Sequence, residues 1–336
     1  MIPEKARPMP AKPPFRADHV GSLLRPAELR DARAKARSGA ISPGVLKAVE
    51  ERHVRDVVTR QAALGLRSIT DGEFQRDFWH LDFMSALDGV ALKPQTSGMA
   101  FAADDLPPIA TVVGKLKCSR PIMADHFSLL KSLVGDLGTA KFTIPAPATL
   151  HIRGGRNAIS RDIYPDLAEF WTDASAAYRV AIGHLAAAGC GYLQLDDVSF
   201  SYLCDDQVRE NFRGNGDDPE PLAATYTEAI NHALKDRPPG MTVTMHTCRG
   251  NFRSAWFAQA GYQDAVIEKM FSANVDGFFM EYDSERSGGF EPLRLLPKGK
   301  KVVLGLVTTK SGALESGDAL KRRIDEASRY VPLEYL

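Results

Sequence analysis

The chain has few residues that could staple it together and no excess of charge. Its 336 residues include only four cysteines, in no repeated framework. That excludes a disulfide scaffold and points to free or metal-bound thiols in a reducing compartment, the cytoplasm. Lys and Arg together number 42, as do Asp and Glu, so bulk charge directs the chain neither to nucleic acid nor to a membrane surface. No run approaches the roughly 18 consecutive apolar residues of a membrane-spanning helix. The opening MIPEKARPMPAKPPF is basic and Pro-rich with no apolar centre; it reads as a flexible arm over residues 1–14, not as a signal peptide. After the first candidate strand stands VGSLLRP, with no G-x-G-x-x-G phosphate turn, which argues against a doubly wound dinucleotide fold. Small-molecule chemistry is the class left open.

What is present is alternation. Short β-rich runs at 18–21, 67–71, 141–145, 191–196, 241–246, 277–281 and 302–307 are separated by amphipathic stretches at 43–64, 165–188, 221–234, 253–272 and 317–329. This is the pattern of a parallel α/β protein. An eighth strand falls at 332–336, the very C-terminus, so residues 15–336 are expected to form a single-domain (β/α)8 TIM barrel whose last helix is missing. Residues 88–108, rich in Gly, Pro and Ala, read as an irregular insertion.

In a barrel, chemistry gathers at the C-terminal ends of strands. Polar residues cluster there: His19, Gly21 and Ser22; Asp71 and Glu73; Asp196 and Asp197; His246 and Cys248; Glu281 and Asp283; Thr308, Thr309 and Lys310. Asp197 and Asp283 are as readily helix caps as site residues. In MHTCRGN, His246 and Cys248 are two apart at a strand end, so the period of two puts them on one face. Glu281 ends the next strand, one βα unit later. A His, Cys and Glu donor set suits zinc better than magnesium, which avoids thiolate, and is unlike a closed structural zinc site. Zinc so held can present a substrate thiol as thiolate, which means alkyl transfer to sulfur. Water activation for hydrolysis is the alternative, but the Cys ligand and the lack of H-x-H at the first strand disfavour it.

At these residues the chain resembles the cobalamin-independent methionine synthase family, in its C-terminal catalytic barrel and short single-barrel branch. The segments are HVGSLLRP at 19–26, ITDGEFQRDFW at 69–79, LQLDD at 193–197, MHTCRGN at 245–251 and FFMEYDSERSGGFEPL at 278–293. The resemblance implies zinc held by His246, Cys248 and Glu281. It implies homocysteine gripped by Val20, Gly21 and Ser22 with Glu73 and Asp196, and His19 is a further candidate substrate-binding residue. Homocysteine and a methyl donor such as 5-methyltetrahydrofolate are the expected partners.

Three departures stand out. The family's second Cys ligand follows the eighth strand, and this chain stops at Tyr335-Leu336; Cys118, Cys190 and Cys204 are poor substitutes, and a C-terminal tail is expected beyond residue 336. The family's Asp-x-x-His stretch for proton transfer corresponds to Thr308, Thr309 and Lys310. Its folate-stacking Trp-Ser pair corresponds to His151-Ile152. Lys310 and His151 are therefore the candidate catalytic proton donors, and a different thiol or donor, as in coenzyme M transferases or with a corrinoid protein, is the alternative activity. An inactive barrel is a further one. Arg25, Arg76 and Arg286 are candidates for an anionic donor tail, and the early helical region for a homodimer contact.

Overall fold

The structure, a computed structural model, describes residues 12–94, 107–251 and 257–336. Most of the expected arm, the middle of the expected insertion and the first residues of the expected helix at 253–272 lie outside the described residues.

In chain order the elements are α1 (Ala27–Arg37), α2 (Pro43–Ala63), β1 (Ser68–Ile69), α3 (Leu81–Met84), β2 (Asp88–Lys93) and β3 (Ile109–Lys117). Then come α4 (Ala124–Val134), β4 (Thr139–Ala140), β5 (Phe142–Pro145), α5 (Thr149–Ile152), α6 (Leu167–Ala187) and β6 (Tyr192–Asp197). α7 (Ser199–Leu203), α8 (Asp206–Gly214), α9 (Leu222–Ala233), β7 (Thr242–Thr247), α10 (Asp264–Phe271), β8 (Gly277–Glu281), β9 (Lys301–Gly305) and α11 (Gly317–Ala327) complete them. Local chemistry sets the helix starts. Ser42 accepts from the Val45 N–H with Pro43 at the first position of α2, and Asp166 accepts from the Ala168 N–H of α6. α6 buries Phe170, Ala174, Ala177, Tyr178, Ala181, Ile182 and Leu185, one stripe at helical spacing.

The main sheet is parallel and runs β5-β6-β7-β8-β9, in sequence order. β6 is buried along its whole length, as a strand covered on both faces should be. β1 pairs in parallel with β4. Only Lys141 separates β4 from β5, and its N–H donates to the Ile69 carbonyl at 2.9 Å, so β1 extends the same array. The segment 18–22 lies beside β1, where the Thr70 hydroxyl donates to the Gly21 carbonyl (2.8 Å) and the Leu23 N–H to that of Gly72 (3.1 Å).

Side chains from several strands meet inside this array. Lys141 is fully buried, its ammonium 3.3 Å from Asp18 and 3.9 Å from the centre of the Phe279 ring. Asp18 also accepts from the Tyr192 hydroxyl at 2.8 Å and from Ser68. Burial lowers the Lys141 pKa to about 8, with Asp18 opposing.

Three expectations need correction. Residues 332–336 are not an eighth strand: Leu333–Tyr335 is a 3-10 turn whose N–H groups bond locally, Tyr335 to Pro332 (2.9 Å) and Leu336 to Leu333 (3.2 Å). Pro332 has no N–H to give to a ladder. Among the described residues the closed eight-stranded ladder is therefore absent, and the fold is α/β around a five-stranded parallel sheet. Residues 18–21 form no strand either, because side chains take their carbonyls: Lys141 that of His19, Gln194 that of Val20 and Thr70 that of Gly21. Finally, the insertion expected at 88–108 begins an antiparallel hairpin. β2 pairs with β3 from Asp88↔Lys117 to Lys93↔Ile109. The long connection hid it, since no two-residue turn marks the reversal.

Candidate metal and substrate site

β7 and β8 pair in the register His246↔Phe279 and Thr247↔Met280. This sets His246 near the end of β7, Cys248 just past it and Glu281 as the last residue of β8. The Cys248 N–H still donates to the Asp197 carbonyl at 2.7 Å, so the ladder holds the thiol in place. Donor atoms of His246, Cys248 and Glu281 all lie within 4.8 Å of one another, the one such group among the described residues. His246 Nε2 is 3.8 Å from Glu281 Oε1. Its Nδ1 is 3.3 Å from Asp196 Oδ1, the carboxylate–imidazole arrangement that orients a metal-binding histidine.

These residues fit a zinc ion. Bond lengths of about 2.0–2.3 Å bring tetrahedral donors roughly 3.3–3.8 Å apart, so the three need to draw together by about 1 Å. Glu281 Oε2 is buried without a hydrogen-bond partner, a cost a cation would relieve. The local potential is strongly negative. Burial pushes the His246 imidazolium toward its neutral form, but hydrogen bonds to Asp196 and Glu281 prevail and hold its pKa at about 10. Burial, with Glu281 beside it, pushes the Cys248 thiol up. The other thiols sit elsewhere: burial raises Cys190 to about 12 and Cys204 to about 11, as expected for packed, inert cysteines.

A second group of acids stands beside the first. Glu73 has φ +60° and is buried. Asp71 Oδ1 accepts from its N–H at 2.9 Å, which steadies that backbone. Glu73 Oε1 accepts from the Thr143 hydroxyl at 3.0 Å and lies 3.7 Å from Arg76, while Oε2 is buried without a partner. Burial raises its pKa; Arg76 opposes, and Asp196 and Asp71 add to the rise. Gln194 Nε2 donates to both Asp196 and the Val20 carbonyl, each at 2.7 Å, tying the turn to the acid. Gly21 has φ +110°, and a Cβ there would lie 3.1 Å from Thr143 and 3.2 Å from Thr70. Gly21→Ala is therefore expected to cost about 1–3 kcal/mol, read as a lower urea midpoint. An unchanged midpoint would refute the packing argument. Ser22 is exposed at the end of the turn.

The structure does not bring every expected residue here. His19 lies beside the start of β1, its Nε2 3.2 Å from the Ser68 carbonyl, at the strand end opposite the ligands. His151 is fully buried, with Nδ1 2.8 Å from the Tyr226 hydroxyl and Nε2 3.2 Å from Asp217, stacked on Phe212. Both ring nitrogens are engaged, so it has none with which to protonate a substrate. Asp197 caps α7, accepting from the Ser199 and Phe200 N–H groups. Arg76 is buried on the Thr143 carbonyl beside Glu73, Arg25 clamps the carbonyls of Glu73 and Arg76, and Arg286 bonds Ala258 and Asp283. Lys310 does reach the site, donating to Asn251 and to Thr309.

Asn251, Gln194 and Thr143 escaped the sequence reading as site residues. The first two stood inside the quoted motifs, three residues after Cys248 and two before Asp196, spacings that place them on the same turn or face.

Known proteins resemble this chain in sequence and in fold. The profile of the cobalamin-independent synthase catalytic domain matches residues 15–336. The uncharacterized protein YxjH of Bacillus subtilis (strain 168) is 44% identical over 329 residues, covering 97% of this chain and 86% of its own length. A Listeria monocytogenes structure, whose assignment as a vitamin-B12-independent methionine synthase is itself provisional, superposes with TM-score 0.77 at 39% identity, over 97% of this chain and 90% of that one. A B12-independent methionine synthase from Shewanella sp. W3-18-1, solved with selenomethionine, shares the fold: TM-score 0.67, 18% identity, 88% of this chain and 81% of the other.

Proposed function

The chain belongs to the cobalamin-independent methionine synthase family, and from that premise we propose that it transfers a methyl group to the thiol of homocysteine, giving methionine, in a zinc-dependent reaction. The observation that carries this reading is the meeting of His246, Cys248 and Glu281 beside Glu73 and Asp196. The wider (β/α)8 barrel reading is supported by Asp18, Lys141, Tyr192 and Phe279 sharing one interior.

When bound, zinc supplies a Lewis acid that keeps the substrate thiol as a thiolate near neutral pH. Asp196 holds the His246 ring through Nδ1 and leaves Nε2 facing Glu281. Glu73 and Asp196 take the α-ammonium of homocysteine, with the partnerless Glu73 Oε2 as the stronger acceptor. Ser22 and the turn at 20–22 take its carboxylate. The sulfur–carbon bond forms as the donor's nitrogen–carbon bond breaks, and the nitrogen needs a proton. Lys310 Nζ is the group at the mouth that can give it; partial burial lowers its pKa, making it a stronger acid.

A second reading, transfer from a donor other than a folate, is favoured by His151-Ile152, buried where the resemblance expects the folate-stacking pair. Calorimetry on zinc-loaded protein tests the acceptor. Homocysteine is expected to bind, and Glu73→Gln or Asp196→Asn to weaken it about ten- to a hundredfold, the worth of a hydrogen bond to charge. No heat with homocysteine from a zinc-loaded sample would refute the acceptor. Turnover with a methylated corrinoid but not with methyltetrahydrofolate would select the second reading.

A further inference from the structure

Asn251 makes contacts that neither donor binding nor methyl transfer requires of it. Its Nδ2 donates to Glu281 Oε1 at 2.6 Å and to Cys248 Sγ at 3.6 Å, and its Oδ1 accepts from Lys310 Nζ. One amide thus spans two of the three donors and joins them to a cation. The loop is built to hold it there. Gly250 has φ +76°, and a Cβ on it would lie 2.5 Å from the Tyr202 hydroxyl and 2.8 Å from Phe257, so only glycine lets the chain swing back over Glu281. Arg249, buried, anchors the preceding residue on the Ala260 and Ser287 carbonyls and over the Tyr262 ring at 4.4 Å. The Tyr262 hydroxyl in turn accepts from the Glu281 N–H at 3.1 Å. Asn251 is exposed, but it stands on a fixed frame.

We propose that Asn251 is a positioning residue for the metal centre: its amide tunes the electron donation of the Cys248 thiolate, and Lys310 acts on that thiolate through Asn251. The inference rests on reading the three donors as a metal site. An N–H donated to a metal-bound thiolate stabilises the sulfur lone pairs and so leaves the metal more Lewis acidic. An ammonium on Oδ1 polarises the amide and strengthens the N–H···S bond, since bonds in a chain reinforce one another. Outer partners of this kind govern metal affinity about ten- to a hundredfold.

Cobalt(II) is the probe, because the thiolate-to-cobalt charge-transfer band reports the sulfur directly. Asn251→Ala is expected to move the band to lower energy and to weaken cobalt binding by about tenfold or more. Lys310→Ala should move it the same way by less, and Lys310→Arg should restore it. In an Asn251→Ala background, removing Lys310 should move the band by clearly less, leaving only its direct charge effect on Cys248 and Glu281. An unchanged band and affinity in Asn251→Ala would overturn the proposal. So would a Lys310→Ala shift that persists undiminished in that background. Failure of the unsubstituted protein to take up cobalt would overturn the metal reading itself, and this inference with it.

Discussion

Cys248→Ala is expected to reduce zinc content from about one per chain to under about a tenth, and methyl transfer with it, because structural and catalytic zinc sites draw their affinity from a deprotonated, correctly placed donor set. Cys248 is the only thiol in the group, and its N–H is held by the Asp197 carbonyl whatever the side chain. The substitution thus removes the sulfur while leaving the backbone ladder intact. The metal-free fold should keep its stability, and the loss should appear in elemental analysis and in turnover together. Retention of zinc near one per chain would show that the thiolate is not a ligand. Cys190→Ala makes a fair control: its thiol is buried near the start of β6 and should leave zinc content unchanged.

The second large effect concerns stability. Asp18→Ala leaves the buried Lys141 ammonium without its carboxylate and is expected to cost about 3–5 kcal/mol, the typical result of removing one partner of a buried ion pair. The change is read from urea unfolding. The pH dependence has a definite sign. Burial alone would raise the Asp18 pKa, but Lys141, Ser68, the Phe15 N–H and Tyr192 outweigh it and hold it below the ordinary 3.8. A carboxylate depressed on folding contributes stability above its unfolded pKa and loses it as pH falls through the folded one. Asp18→Asn should remove that acid-side loss. Lys141 gives a slope of the same sign on the alkaline side. Its folded pKa is about 8 against an ordinary 10.5, so the unfolded chain binds more protons between those values, and stability should rise with pH there. A flat profile across both windows would refute the charged pair.

Much of the main sheet was legible because β6, β7 and β8 are short, largely apolar runs that end in a polar residue and are each preceded by a helix. β6 to β9 fall within a residue or two of their expected bounds at the start, although β9 stops at Gly305. The spacing in MHTCRGN likewise announced that His246 and Cys248 share a face. What stayed hidden was not local. The segment 18–21 looks like a strand, yet its carbonyls are claimed by Lys141, Gln194 and Thr70, residues distant in sequence. His151 looked available, but Tyr226 and Asp217 close around it from 75 and 66 residues away. Asn251 was visible in the motif, but its reach to Glu281 depends on the positive φ of Gly250 and on the Tyr202 wall. Alternation and spacing do not encode such contacts.

The pairing of β7 with β8 has a consequence for quality control of the chain. Successive residues of a strand face opposite sides, so a slip of one residue would turn Glu281 away from His246 and Cys248. An ion taken up by all three donors is therefore admitted only by molecules whose strands aligned correctly. With an ion held by these three donors, metal occupancy in a preparation would count the correctly folded fraction, and the ion would act as a proofreader of strand alignment.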